Sequence, residues 1–467
     1  MTTPLLNQIR IPLPRACFNV HIVFIGLSFL LFSTCIAAEA PAKDVKIEPI
    51  RIEATINKNE PFYRKSEKIE FKLSVVDESK DKTAMFLDCE LFFNGKSIEK
   101  KMVPVTNGCI FVITPDQSGW VAAKAVACDR NKKPIQKKYP KDQFDQIVSN
   151  GIGVMVDPDM IKAAAAEPED FDQFWHRQRA ELDKVPIKAD CTPVDFTGPF
   201  KDQINCFDVK IACAGKMPVS GYLAIPRNAK LKSLPAVVFF DGAGVRSATK
   251  PLWYQGAIAF HLNAHGIDNG QPNEYYRSLE QGELHNYKFQ GMNSPDDFYF
   301  KGMHLRSMRA LDYVKALPEW DGKNLIVFGG SMGGGQAIAA AALDPEVTVC
   351  LAFIPALGDL DGELCNRLAA YPQAVNLNDK KSNPESVTKT VRYYDSANFA
   401  KRIRGNVIIT TGLIDFICPP TSAYLIYNSL PEKTTKKIIA YPQKGHDYYT
   451  PPEAKAILEK LYQKVAP

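Results

Sequence analysis

Residues 325–342 read LIVFGGSMGGGQAIAAAA. Leu325–Phe328 is a run of strand formers, the segment from Gln336 onward favours helix, and glycines crowd a single serine between them. A strand that reverses abruptly into a helix needs neighbours nearly free of side chains. The first N–H groups of that helix then face the tip of the turn, where the helix dipole favours developing negative charge. Gly329-Gly330-Ser331-Met332-Gly333 fits G-x-S-x-G, a pattern that exposes a serine Oγ on a strained strand-to-helix turn. A phosphate-binding loop is the competing reading, but no Gly-Lys-Ser/Thr follows the glycines. Ser331 is therefore read as a nucleophile.

A serine hydroxyl attacks only when a base takes its proton. Chains built around this turn order their residues serine, acid, histidine. Of the seven histidines (His21, His176, His261, His265, His285, His304 and His446) only His446 follows Ser331. It lies in YPQKGHDYY, a Gly-His loop directly after a strand-like run. The acid must come between them, at a strand end, and Asp415 stands just past NVIITTG. Asp344, Asp359, Asp361 and Asp395 are the rivals. Asp344 belongs to a helix-ending turn, whereas Asp359 follows the strand after the nucleophile's and stays open as an alternative to Asp415. The oxyanion donors are expected to be the backbone N–H groups of Met332 and of Ala243, the latter in the loop after PAVVFFDG.

Outward from this turn the chain alternates strands and helices. CFDVKIAC, VSGYLAIP, PAVVFFDG, GAIAFHLNAHG, VCLAFIPAL, NVIITTG and KKIIAYP read as strands, several of them continuous apolar runs that suit a largely parallel sheet covered on both faces. Gly302–Leu317 and the acid-capped PEDFDQFWHRQRAELDKV read as helices, with Phe171, Phe174, Trp175 and Leu182 near one face of the second. The fold class is α/β, with the chemistry at the C-terminal ends of the strands. Residues 41–131 differ: short alternating runs broken by turns, with an Asn94-Gly95 hairpin signal, predict a small all-β immunoglobulin-like sandwich. It carries no evident catalytic cluster and reads as a spacer or packing domain, with sugar binding as the alternative. The expected layout is a leader over 1–40, the sandwich over 41–131, a linker and short strand over 132–160, and the catalytic domain over 161–467.

The leader has Arg10 and Arg15 ahead of VHIVFIGLSFLLF and ends in Ala38-Glu39-Ala40, the pattern of a cleaved secretory signal. Its apolar run is shorter than the ~20 residues a membrane span needs, so export with no stable span is expected, with a lipid anchor at Cys35 as the alternative. Of eleven cysteines, Cys17 and Cys35 would leave with the leader, and an odd number would remain. Cys89 and Cys128 are candidates for a bridge, whereas Cys206 and Cys213 have opposite parity on one run and are poor partners. There is no CxxC pair, and neither a metal nor a cofactor is implied. The formal charge of +5 is spread over scattered lysine pairs mixed with acids, which argues against a nucleic-acid partner.

GGSMGGGQAIAAAAL, GLIDFICPPTSAYLIYN and GHDYY together resemble the acetyl xylan esterase / cephalosporin C deacetylase family (carbohydrate esterase family 7), within the α/β-hydrolases. The resemblance runs from about Phe171 to Leu461. It implies the α/β-hydrolase fold, Ser331, Asp415 and His446 as the triad, removal of O-acetyl groups from carbohydrates, and no cofactor. Members often form closed oligomers, so a homo-oligomer is consistent with it. This chain departs from the family pattern at three places: Met332 where many members have Gln, Asp241-Gly242-Ala243 in place of His-Gly-Tyr, and His265-Gly266-Ile267 in place of Arg-Gly-Gln. Trp253, Tyr254, Tyr275, Tyr276 and Tyr287 are candidates for stacking on sugar rings. A hydrolase of another ester or a peptide, and a silent hydrolase-like binding protein, are the alternative functions.

Overall fold

The computed structural model describes residues 49–137, 146–198, 200–377, 383–447 and 449–462. The expected leader and part of the linker lie outside them. The alternating N-terminal runs form β1 (Ile50–Ile56), β2 (Phe62–Tyr63), β3 (Ile69–Asp77), β4 (Phe86–Phe93), β5 (Lys96–Pro104), β6 (Cys109–Ile113) and β7 (Gly119–Cys128). Short strands β8 (Gln136–Lys137) and β9 (Gln146–Ile147) pair with each other before β10 (Ser149–Val156). Alternation does what it should: in β3, Ile69, Phe71 and Leu73 point inward and Lys72 outward. Two sheets result, ordered β1-β3-β6 and β2-β10-β7-β4-β5, and they share one apolar core built around Phe71, Phe111, Leu87, Leu91 and Val121. Asn94 and Gly95, both at positive φ, make the β4–β5 turn.

The short strand expected in the linker does not stand apart. It is β10, paired antiparallel along the length of β7, so this sheet continues past the expected boundary at 131. An uncovered β7 would leave a row of N–H and C=O groups without partners. The Cys89–Cys128 bridge is also corrected. All nine described cysteines are free. The β4–β7 register sets Cys89 opposite Ala125 and Cys128 opposite Phe86, so the two side chains, three positions apart, point to opposite faces. The Cys89 thiol meets Cys109 instead, and that contact together with burial pushes its pKa up.

The remaining strands are β11 (Ala189–Pro193), β12 (Ile204–Ile211), β13 (Val219–Pro226), β14 (Leu234–Phe240), β15 (Ile258–Leu262), β16 (Trp320–Gly330), β17 (Val349–Phe353), β18 (Asn406–Gly412) and β19 (Lys436–Tyr441). The helices are α1 (Phe171–Asp183), α2 (Asn273–Gln281), α3 (Tyr299–Lys315), α4 (Met332–Leu343), α5 (Pro384–Val391), α6 (Ser396–Ala400), α7 (Pro420–Ser429) and α8 (Pro452–Tyr462). They surround a nine-stranded sheet ordered β11-β12-β13-β15-β14-β16-β17-β18-β19. Its first joints are antiparallel, and from β15 onward every joint is parallel. From β14 the chain moves one way to β15 and then returns past it to β16. Such a reversal opens a crevice at the carboxyl ends of the strands, and Ser331 follows β16 at that edge. No helix among the described residues is long and apolar enough to cross a membrane.

Candidate active site

β16 ends at Gly330 and α4 begins at Met332, so Ser331 alone makes the reversal. Its backbone sits at φ 56°, ψ −124°. Residues with side chains hold such angles at a cost of about 1–3 kcal/mol, and only where the surroundings insist. Here the Ser331 N–H donates to Phe353 O at 2.9 Å, and the Ala356 N–H donates to Ser331 O at 2.9 Å. A Cβ on Gly329 would lie 2.3 Å from the Gly333 carbonyl, and one on Gly333 would lie 2.0 Å from Phe240 O. Strand, helix and the end of β14 therefore touch backbone to backbone, which accounts for the flanking glycines.

His446 Nε2 lies 2.9 Å from Ser331 Oγ, and His446 Nδ1 lies 2.8 Å from Asp415 Oδ2. The other carboxylate oxygen of Asp415 accepts the N–H groups of Ile417 and Cys418 at 2.8 and 2.9 Å. Asp415 is fully buried. A carboxylate can only accept, so Nδ1 of neutral His446 carries the proton and Nε2 is free to take one from the serine. Burial pushes the His446 pKa down, but the Asp415 carboxylate outweighs it and holds the group well above the usual histidine value.

The sign of a pH dependence follows. The base must be neutral, and a raised pKa keeps it protonated to higher pH. The acid limb of kcat/KM is thus expected above about pH 6.5, the ordinary histidine value. A pH–rate profile reads this directly, and a limb below that value would contradict it. The same shift stabilises the fold fully below the unfolded value, and that contribution is lost as pH rises through the folded one.

The rival acids have other work. Asp359 is fully buried and takes a two-pronged ion pair from Arg367, Nε to Oδ2 at 2.6 Å and Nη2 to Oδ1 at 2.7 Å. Asp361 pairs with Arg392 and Asp344 with Lys315, each at 2.7 Å. Asp395 accepts the N–H groups of Leu360 and Ala397, and burial pushes its pKa up to about 7. His446 is the histidine that reaches Ser331.

Ala243 stands in the loop after β14, and three side chains hold that loop: Arg246 and Gln336, which no sequence motif marks, and His265, noted from the sequence only as a departure from the family pattern. Arg246 donates to Gly242 O at 3.3 Å and to Ala243 O at 3.0 Å. In a trans peptide the C=O and N–H point opposite ways, so gripping Gly242 O aims the Ala243 N–H away from the guanidinium. Gln336, on the nucleophile's own helix, donates to Asp241 O at 3.2 Å. His265, where the family's Arg-Gly-Gln was matched only loosely, binds Gly244 O through Nε2 at 3.1 Å and Tyr299 OH through Nδ1 at 2.8 Å. A carbonyl can only accept, so Nε2 carries the proton. Burial, reinforced by Arg306, drops the His265 pKa to about 3, which keeps the ring neutral. Met332 opens α4, and its N–H is one of those a helix leaves without an internal acceptor. Its side chain is buried, with Tyr287 OH donating to the sulfur at 3.5 Å.

The N-terminal sheets bear directly on the loops that carry Asp415 and His446. The Trp120 indole N–H donates to Leu413 O at 2.7 Å. Phe416 packs against Phe92 and Trp120 with centroids 4.7 and 4.8 Å apart, and Lys124 Nζ lies 4.8 Å from its ring centroid. Gly153 N–H donates to Pro442 O at 2.8 Å, and a Cβ on Gly153 would sit 1.7 Å from Leu413 O. Gln443 donates to Ala54 O at 2.8 Å. Trp120→Phe would leave the Leu413 carbonyl without its donor and loosen Phe416. The expected cost is about 1–3 kcal/mol in denaturant unfolding, with a lower kcat as Asp415 loses its fixed position. Unchanged values of both would show that the contact is incidental.

Of the aromatics considered for sugar stacking, Tyr254, Tyr276 and Tyr287 are buried. Tyr254 packs on Phe239, Tyr276 OH donates to Asp268 O, and Tyr287 OH lies 3.0 Å from Tyr371 OH. Tyr276 and Tyr287, from the segment between β15 and α3, join the main apolar core, whereas Tyr254 precedes β15 and is buried against that strand's neighbour. Trp253 and Tyr275 are half-buried. Among the described residues no group of three or more His, Cys, Asp and Glu could hold a metal ion.

The chain is similar to known proteins over most of its length after residue 158. The acetyl xylan esterase (AXE1) family model matches residues 159–463. An acetyl esterase of Xylanibacter ruminicola, Axe7A, is 36% identical over 283 residues, 58% of this chain and 62% of its own length. The match thus spans less than two thirds of that relative. The structure of an acetyl xylan esterase from Paenibacillus sp. R4 is 26% identical, covering 65% of this chain and 97% of its own, with a TM-score of 0.56. Acetyl xylan esterase 1 from a Thermoanaerobacterium species is 22% identical, covering 66% and 98%, with a TM-score of 0.54, and shares the fold. With its family model spanning well over half of the residues, this chain belongs to the acetyl xylan esterase (AXE1) family.

Proposed function

We propose that the protein is an exported serine esterase that removes O-acetyl groups from carbohydrates such as acetylated xylan or xylo-oligosaccharides. The observation that carries this reading is the relay Ser331–His446–Asp415, with links of 2.9 and 2.8 Å, set on a strained turn. Membership of the family supports the ester class and the carbohydrate substrate. Ser331 Oγ attacks the acetyl carbonyl carbon while His446 Nε2 takes its proton. The oxyanion is held by the N–H groups of Met332 and Ala243. Collapse breaks the ester C–O bond, and His446 returns the proton to the departing sugar oxygen. Water then attacks the acetyl-serine while His446 takes its proton, the acyl C–Oγ bond breaks as His446 returns that proton to Ser331 Oγ, and acetate leaves. The cycle consumes water alone. Export rests on the basic, apolar and Ala-x-Ala succession of residues 1–40.

Acetate release from acetylated xylo-oligosaccharides and from a small activated acetate ester tests the reading. Turnover of both is expected. Turnover of the activated ester alone would keep Ser331 as nucleophile and remove xylan as substrate. Preference for a longer acyl chain would point to another ester.

A further inference from the structure

A cleft of about 680 Å³ opens where β2 meets α7 and β19, and none of its lining residues belongs to the triad or to the loop after β14. That volume is within the usual span of small-molecule sites, about 300–1,000 Å³. Phe62 stands on its wall 39% exposed, unusual for a ring of that size, with Tyr424 edge-on at 6.5 Å. Tyr424 is only 5% exposed, yet among the described residues its hydroxyl has no hydrogen-bond partner. The ring is packed away, and the hydroxyl itself meets the cleft. The Tyr427 hydroxyl, on the same helix and the same wall, likewise has none among the described residues.

Charge decides what kind of ligand suits this wall. Lys58 and Arg64 line it, and so do Glu67 and Asp159, which neutralise them. Lys58 pairs with Glu67, and Arg64 reaches Asp157 and Asp159 at 3.0 and 2.9 Å. With its cations already paired, the cleft offers little to a phosphate or a polyanion. An exposed ring beside unused phenol hydroxyls suits a neutral molecule with an apolar face and a hydroxylated edge. A pyranose ring has both.

We propose that this cleft is a second, non-catalytic glycan site that takes a neutral stretch of polysaccharide main chain, one ring against Phe62 and hydroxyls on Tyr424 and Tyr427. The assignment of this ligand class rests on the carbohydrate-esterase reading above. α7 leaves the Asp415 loop and β19 leads to the His446 loop, so a chain held here is tethered to the body that carries the active site. Tethering raises the effective concentration of the acetyl groups farther along the same chain.

Calorimetric titration of the full mature protein carrying Ser331→Ala, with unacetylated xylohexaose, tests this without hydrolysis. Binding is expected, weakened about tenfold or more by Phe62→Ala, a change of 1.4 kcal/mol or more. Phe62→Tyr is expected to retain it, and Tyr424→Phe to weaken it with the ring still in place. Melting temperatures of the variants report that the fold survives. No binding, or binding indifferent to Phe62→Ala, overturns the proposal. Cellohexaose bound in place of xylohexaose with the same sensitivity upholds the site and moves the substrate away from xylan. Xylohexaose binding by a protein that releases no acetate would uphold the site while the esterase reading fails.

Discussion

Ser331→Ala is expected to lower kcat for acetate release by about 10⁶-fold, to the residual level that binding and the oxyanion donors alone provide. The imidazole would lose the oxygen that lies 2.9 Å from Nε2, and among the described residues no other hydroxyl lies within hydrogen-bond reach of His446. The fold should survive, because alanine keeps the Cβ and therefore the same backbone strain at φ 56°. Ser331→Gly separates chemistry from strain. It should be equally inactive, yet more stable than the parent by about 1 kcal/mol, because glycine adopts these angles freely. Parallel measurement of acetate release and thermal unfolding on the two variants checks both halves. Substantial activity in Ser331→Ala would remove the nucleophile assignment, and a destabilised Ser331→Gly would show that the turn is not strained.

Asp415→Asn is expected to cost about 10⁴-fold in kcat with little change in KM. Its amide oxygen can keep the N–H groups of Ile417 and Cys418, so the loop has no reason to move. The NH₂ then faces His446 Nδ1, which must become the acceptor. The ring proton shifts to Nε2, which points a donor at Ser331 Oγ and can no longer take its proton. Loss of the carboxylate also removes what holds the His446 pKa above its ordinary value, so any residual activity should show its acid limb at lower pH. A loss of less than tenfold would return the role of acid to another residue. Asp359→Asn serves as the contrast: it breaks the ion pair with Arg367 and should lower stability far more than kcat.

The strand-to-helix turn was legible from the sequence because it is local chemistry. An apolar strand, a crowd of glycines and a helix-prone run admit few other backbone paths, and the order of Ser331, Asp415 and His446 along the chain follows from the same topology. The alternation of β3 and the apolar face of α1 were legible for the same reason, since a period of two or of 3.6 is written residue by residue. The separation of Asp415 from Asp359 was not. Both follow strands, and only the packed structure brings Arg367 to one carboxylate and His446 to the other.

The holders of the oxyanion loop were equally hidden. Arg246 and Gln336 act through backbone carbonyls that no motif marks, and the departure at His265-Gly266-Ile267 does not say which carbonyl the ring would hold. From alternation alone the N-terminal strands read as a spacer. Folding sets Trp120 and Gly153 against the Leu413 carbonyl, hundreds of positions away in sequence, and makes the sandwich a wall behind the loops of Asp415 and His446. The strained turn at Ser331 and the periodic elements were readable from the sequence because they depend on neighbours a few residues apart. Only the folded chain shows which carboxylate faces His446, what holds the loop after β14, and that an aromatic-walled cleft lies between β2 and α7. Those depend on contacts between segments that only the folded chain brings within a few ångströms.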